Sequence, residues 1–201
     1  GGGLIFPQDE AVAICNAARA RGIATYLDGA RLWNSAVATR RPLAELAAPF
    51  DLVGVCLSKG LGAPGGSLLA GSKDLVAACQ RYRRMAGGAM RQVGIFAAAG
   101  LHALDHHLER LADDHANARA LAAKLAKSPR VQLDLATVQT NIVVFRLTAD
   151  APDAATVVGR AREQSLLLFP FGPRTIRVGT HLDVTREQCD RAAEILLAAI
   201  G

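Results

Sequence analysis

The stretch Leu57-Ser58-Lys59-Gly60-Leu61-Gly62-Ala63-Pro64-Gly65-Gly66 sets one lysine in a glycine-rich loop, directly after the apolar run 52–57. A lysine amine that can lose its proton forms a Schiff base with a carbonyl compound. Glycines around it let the backbone turn sharply beside a ligand. Ser58 offers a hydroxyl to a phosphate. A second signal is Leu27-Asp28-Gly29-Ala30-Arg31, where an acidic residue ends the apolar segment Ile23-Ala24-Thr25-Tyr26-Leu27. A carboxylate there can keep a heteroaromatic nitrogen protonated. Lysine and carboxylate together suit pyridoxal 5'-phosphate, whose carbonyl takes the amine and whose protonated ring withdraws electrons. Each residue also has an ordinary reading: a loop lysine is usually solvated, a serine here serves the turn, and Asp-Gly is a common turn pair.

Arg31 and Arg177 are the candidates for gripping a substrate carboxylate, because a planar guanidinium matches it with two hydrogen bonds. Arg177 lies in Thr175-Ile176-Arg177-Val178-Gly179-Thr180-His181. In a strand it points away from Ile176 and Val178, toward a ligand or simply toward solvent. His181 fits an acid–base role or a surface turn. His102 and His106 share a helix face at i, i+4, but no further ligand joins them. They and His107 read as exposed, and no metal site is expected.

These residues need elements to hold them. The pattern predicts a helix over 7–21 that opens at Pro7 and stops at Gly22, then a strand over 23–27. Helical pieces follow over 32–48, broken at Pro42 and Pro49, with strands over 51–57 and 67–70 and a helix over 72–84. Gly87-Gly88-Ala89-Met90-Arg91-Gln92 interrupts the helices, and an alanine-rich helical region runs from 94 to 127. Helix and strand alternating through short connections indicates an α/β fold with a mostly parallel sheet, with Asp28 and Lys59 at its ligand-binding carboxyl edge. Beyond Pro129 come strands over 131–135, 141–147, 166–171 and 174–179, a helix over 153–164, and a final helix capped by Thr185 with Glu187 two residues on. That is a small α+β domain. The expected division is 1–93, a connecting helical region 94–127, and 128–201.

Composition narrows the function classes. Hydrophobic residues are 51% of the 201, enough for a packed core rather than a disordered tail. A net charge of +5 and a pI near 9.4 suit anionic small ligands. The arginines are scattered and lack aromatic neighbours, so no nucleic-acid partner is expected. No apolar run reaches the roughly 18 residues of a membrane span, and no signal peptide is visible. Cys15, Cys56, Cys79 and Cys189 show no metal-binding spacing. They read as reduced and mostly buried in a cytoplasmic protein.

Three segments in order, Leu27-Asp28-Gly29-Ala30-Arg31-Leu32-Trp33-Asn34, Leu57-Ser58-Lys59-Gly60-Leu61-Gly62-Ala63-Pro64 and Gly87-Gly88-Ala89-Met90-Arg91-Gln92, resemble the L-threonine aldolases of low-specificity type. These are β-eliminating lyase relatives among the pyridoxal-phosphate enzymes of the aspartate-aminotransferase-like fold (fold type I). The resemblance runs over essentially the whole chain and includes the opening Gly-Gly-Gly-Leu-Ile-Phe-Pro-Gln-Asp-Glu. It implies that Lys59 carries the cofactor, Asp28 pairs with its ring nitrogen, Ser58 lies beside it, and Arg31 and Arg177 bind the amino-acid carboxylate. Arg31 also borders the cofactor. It implies cleavage of β-hydroxy-α-amino acids to glycine and an aldehyde, in a homodimer or homotetramer.

Two departures stand out. Tyr26 replaces a histidine often found in the family. The family's first third, with the histidine that stacks on the ring and the loop that binds the phosphate, has no counterpart here. The chain therefore reads as the larger part of such an enzyme, with the missing N-terminal segment as a partner. Another fold type I reaction (β-elimination, transamination or racemisation) and an inactive fragment are the alternatives.

Overall fold

The computed structural model describes residues 2–201. The chain forms two compact units: Phe6–Leu111, and Ala112–Gly201 together with the N-terminal residues up to Ile5. The division falls between Leu111 and Ala112, inside the region 94–127. That region is two helices, α5 (Gly94–His106) and α6 (Leu111–Leu125), rather than one.

The first unit begins with α1 (Gln8–Arg19), where Asp9 and Glu10 sit at the positive end of the helix dipole. Gly22, at φ +68°, turns the chain so that the Ile23 N–H bonds back to the Ala18 carbonyl at 3.0 Å. β1 then runs over Tyr26–Gly29, later than the expected 23–27. The shift has a physical cause: the N–H of Ile23 is used by the helix cap, and that of Thr25 by the Asp51 carboxylate at 2.7 Å. α2 (Leu32–Thr39) and α3 (Leu43–Ala47) lead to β2 (Leu52–Cys56), β3 (Ser67–Gly71) and α4 (Lys73–Met85). The sheet order is β1-β2-β3, with β1 parallel and β3 antiparallel to β2. The sheet is thus mixed, because the loop 57–66 is too short for the crossover a parallel partner needs. Trp33, Leu57, Leu61, Ala63, Ala103 and Leu111 form this unit's buried cluster.

The second unit is an antiparallel sheet of order β4-β5-β7-β6, formed by Val131–Gln132, Ile142–Leu147, Thr175–Gly179 and Pro170–Gly172. α6, α7 (Ala154–Glu163) and α8 (Arg186–Ile200) supply apolar residues to its core, around the fully buried Phe145, Ile176 and Leu196. Two expected strands are shorter here. β4 stops at Gln132 because Asp134 caps a 3₁₀ turn through the Ala136 N–H. β6 starts only at Pro170, since Leu166 is tied to the end of α7 by a bond to the Ala161 carbonyl. Thr185 caps α8 as expected. Its reciprocal partner is Gln188, whose Oε1 accepts from the Thr185 N–H at 2.9 Å. Arg130 and Arg160 donate to carbonyls at the other end of α8.

No helix of the described residues is long and apolar enough to cross a membrane. The four cysteines are free thiols. Cys15 and Cys189 are buried, whereas Cys56 and Cys79 are half-buried.

His115 on α6 is only 4% exposed. Burial, helped by the Arg119 charge, holds its imidazole down to about 4. The unfolded chain takes up the same proton near pH 6.5, so falling pH favours the unfolded state. Stability is therefore expected to fall between pH 6.5 and 4, by at most about 1.4 kcal/mol per pH unit. Urea midpoints followed across that window check this, and His115→Gln flattens the slope. The carboxylates whose values are lowered, Asp51, Asp150, Asp153, Glu187 and Asp190, add a further loss of stability as pH falls past their ordinary values, 3.8 for the aspartates and 4.5 for Glu187.

Candidate active site

β1 and β2 run parallel in the register Tyr26↔Leu52 to Gly29↔Val55, so both leave the sheet at the same carboxyl edge. Asp28 stands near the end of one strand, paired with Gly54. Ser58 and Lys59 follow the end of the other. Strand alternation puts Tyr26 and Asp28 on one face, and the Tyr26 phenol lies across Gly54. The Ala30 N–H donates to Asp28 Oδ1 at 3.2 Å, a short local turn that fixes the carboxylate. Gly29 is required for space: a Cβ there would lie 2.9 Å from the Gly54 carbonyl oxygen and 3.3 Å from Leu32. Arg31 is half-buried at the N-terminal boundary of α2.

The lysine loop is folded back on itself. The Leu57 N–H bonds to the Gly66 carbonyl, the Ala63 N–H to the Leu57 carbonyl, and the Gly62 N–H to the Lys59 carbonyl at 2.8 Å. Gly62 has φ +73°, the left-handed conformation this tight turn requires. Leu57, Leu61 and Ala63 are buried while Ser58 and Lys59 are exposed. The Ser58 hydroxyl lies 3.3 Å from the Cys56 thiol. Two side chains from elsewhere reach the loop's backbone. Trp33 Nε1 donates to the Cys56 carbonyl at 2.9 Å, and His107 Nδ1 meets the Leu61 carbonyl at 2.7 Å. His107 is thus turned inward, contrary to the expectation that all three histidines of this region are exposed. His102 and His106 are exposed, with ring centroids 4.5 Å apart. Among the described residues no group of three potential ligands could hold a metal ion.

An open cavity of about 960 Å³ borders this edge, lined among others by Tyr26, Asp28, Cys56, Gly66, Cys79 and Arg83. Asp28 faces it; Arg31, Ser58 and Lys59 are not part of its wall. Arg83 is a residue that sequence reasoning missed. Its Nε donates to the Gly88 carbonyl at 2.8 Å, holding the start of the Gly-Gly-Ala-Met-Arg-Gln segment. The only sign of it in the sequence was the cluster Arg81, Arg83 and Arg84.

Arg177 belongs to the second unit. It lies on the exposed face of β7 opposite Val144, away from Ile176 and Val178, with its guanidinium 5.4 Å from the Phe171 ring centroid. His181 is exposed beside Asp183, its Nδ1 3.4 Å from the carboxylate.

Pyridoxal phosphate calls for a primary amine, a carboxylate for its ring nitrogen, and room. The first unit offers the exposed Lys59 amine on a bonded loop and the Asp28 carboxylate facing a cavity. At about 960 Å³ the cavity is at the upper end of small-ligand sites. Asp28 and the room beside it fit the group; Lys59 fits by its place just past the end of β2, outside the cavity wall.

The sequence profile of the family described as Beta-eliminating lyase matches residues 1–148. The chain belongs to this family. It is 38% identical over 191 residues to the low specificity L-threonine aldolase of Escherichia coli O157:H7, covering 95% of this chain and 55% of that relative. In structure it resembles a protein of Exiguobacterium sp. 255-15 assigned as an aromatic amino acid β-eliminating lyase/threonine aldolase, with TM-score 0.81 and 21% identity. That likeness covers 98% of this chain and 58% of the other. It also resembles the threonine aldolase of Leishmania major, with TM-score 0.72 and 18% identity, over 98% and 57% of the two chains. The architecture of this family member is that of the fold type I pyridoxal-phosphate enzymes. The chain spans about half the length of the curated relatives it matches.

Because backbone blocks a Cβ at position 29, Gly29→Ala is expected to destabilise the chain by about 1–3 kcal/mol. A lowered urea midpoint with unchanged circular dichroism before the transition checks this.

Proposed function

We propose that this β-eliminating lyase family member contributes to a pyridoxal-phosphate-dependent carbon–carbon lyase acting on β-hydroxy-α-amino acids, L-threonine and L-allo-threonine among them. The products are glycine and an aldehyde. The observation that carries the reading is the shared carboxyl edge of β1 and β2, with Asp28 near the end of one strand and Lys59 just past the end of the other. The similarity to low specificity L-threonine aldolases supports the choice of reaction.

In this reading Lys59 holds the cofactor covalently, Asp28 keeps its ring nitrogen protonated, and Ser58 lies beside it. When bound, pyridoxal phosphate supplies a sink for the electron pair left on Cα when the Cα–Cβ bond breaks. Asp28 is suited to its part because its carboxylate is held by a local turn and faces an open cavity. Arg31 and Arg177 bind the substrate carboxylate, so the amino acid is oriented before reaction. A base takes the proton of the substrate's β-hydroxyl as the aldehyde leaves, and Cα takes up one proton to give glycine. Residues 1–93 then form the C-terminal part of the cofactor-binding domain, 94–127 a connection, and 128–201 the small domain. The working enzyme is a cytoplasmic homodimer or homotetramer in threonine breakdown and glycine formation.

A second reading is that the 201-residue chain folds but does not turn over alone. It is supported by Lys59 standing outside the cavity wall. Addition of the N-terminal segment of a relative, with restoration of cofactor absorbance, separates the two. Acetaldehyde from threonine supports the lyase, whereas pyruvate, ammonia or a keto acid as product supports a different fold type I reaction.

Lys59→Ala is expected to remove the absorbance of the lysine-linked cofactor and lower kcat/KM by about 10³-fold or more. Asp28→Asn is expected to keep the linkage and lower kcat by about 10²-fold or more. Visible spectra and coupled detection of the aldehyde read both. Full activity in Lys59→Ala overturns the assignment.

A further inference from the structure

We propose that Trp33 and His107 act as a two-point clamp on the lysine loop and are positioning residues for Lys59; this rests on the reading of Lys59 as the cofactor lysine. The His107 bond goes to a carbonyl, which can only accept, so Nδ1 carries the proton. Both the neutral ring in that tautomer and the imidazolium have this N–H, so the contact holds in either charge state. The carbonyl it grips belongs to the Leu61–Gly62 peptide, whose own N–H, from Gly62, donates to the Lys59 carbonyl at 2.8 Å. One rigid peptide plane is therefore held by His107 on one side and linked to Lys59 on the other. Turning that plane moves the Lys59 backbone.

The chain entering the loop is held in the same way. Trp33 Nε1 donates to the Cys56 carbonyl, and Leu57, the next residue, is bonded through both its N–H and its carbonyl. Ser58, Lys59 and Gly60 lie between the two anchored carbonyls. Gly60 is buried and has no space for a side chain: a Cβ there would meet the Leu111 side chain at 2.6 Å and Asn34 Oδ1 at 3.4 Å. A loop this rich in glycine has high freedom unless something outside it removes that freedom. Both donors come from helices, α2 and the C-terminal end of α5, not from the loop. The result is a fixed backbone beneath an exposed amine, the arrangement that a residue forming one defined covalent link requires.

The test uses the cofactor-free chain and two shape-preserving variants. His107→Phe keeps a ring in place and removes the donor; Trp33→Phe does the same at the other anchor. Hydrogen exchange of the Gly62 amide is expected to rise about tenfold or more in His107→Phe, and that of Leu57 in Trp33→Phe. His107→Asn, which keeps a donor, restores slow exchange. Leu104→Ala, which loosens the apolar cluster the loop shares but leaves both donors in place, leaves Gly62 slow. Unchanged Gly62 exchange in His107→Phe, or an equal rise in Leu104→Ala, overturns the clamp. The second readout is the rate at which added pyridoxal phosphate develops the absorbance of its link to Lys59. That rate is expected to drop several-fold in His107→Phe and recover in His107→Asn. Equal rates in all variants overturn the positioning role. Absence of the link in the unaltered chain, persisting when the N-terminal segment of a relative is added, overturns the cofactor reading on which the role rests, and is distinguished from failure of the clamp by the exchange data.

Discussion

The parallel pairing of β1 with β2 is the constraint from which the rest of the site follows. Parallel strands leave a sheet at the same edge, so residues well apart in sequence, at 28 and at 58–59, share that edge. An antiparallel pair would have sent them to opposite ends of the sheet. The register adds to this. With Asp28 opposite Gly54, the strand beside the carboxylate has no side chain there, and Tyr26 lies across the gap. Gly29, the next residue, must also lack a side chain because the Gly54 carbonyl crowds it. The Asp-Gly pair is therefore kept for clearance between strands as much as for turning.

Much of this was legible in the sequence, and the reasons differ by residue. Asp28 and Lys59 were legible because each ends a short apolar run, and such runs mark buried strands whatever their partners. That Arg177 points away from Ile176 and Val178 was legible because strand alternation leaves one choice. The start of β1 was not, because it depends on the Asp51 carboxylate, distant in sequence, capturing the Thr25 N–H. Gln188 was passed over for Glu187 in the cap of α8, although Thr185-x-x-Gln188 has the capping-box spacing and could have been read from the sequence. His107 was the clearest loss. Three histidines on one alanine-rich stretch look alike by composition. The one that turns inward does so at the C-cap of α5, where the chain leaves the helix and can reach Leu61.

The two units use their apolar residues differently. The core of the second unit draws on three strands and three helices and contains none of the candidate site residues. Arg177 sits on the opposite face of the same sheet, so its position is inherited from a core that does no chemistry. The first unit has only six residues in its buried cluster, and three of them, Leu57, Leu61 and Ala63, come from the lysine loop itself.

That overlap changes what the loop is. A glycine-rich loop is ordinarily the least ordered part of a domain, supported by a core beneath it. Here the loop supplies half the buried cluster, and burial alternates along it: Leu57 in, Ser58 and Lys59 out, Leu61 in. Burying each of these leucines contributes about 1.5–3 kcal/mol, so the interactions that order the loop are the ones that hold the unit folded. The apolar residues fix where the backbone goes, the polar anchors from α2 and α5 fix how its peptides are turned, and the reactive side chains need no contact of their own to be placed. Lys59 can remain solvent-facing and still be positioned, because Leu57, Gly60 and Leu61 on either side of it are buried.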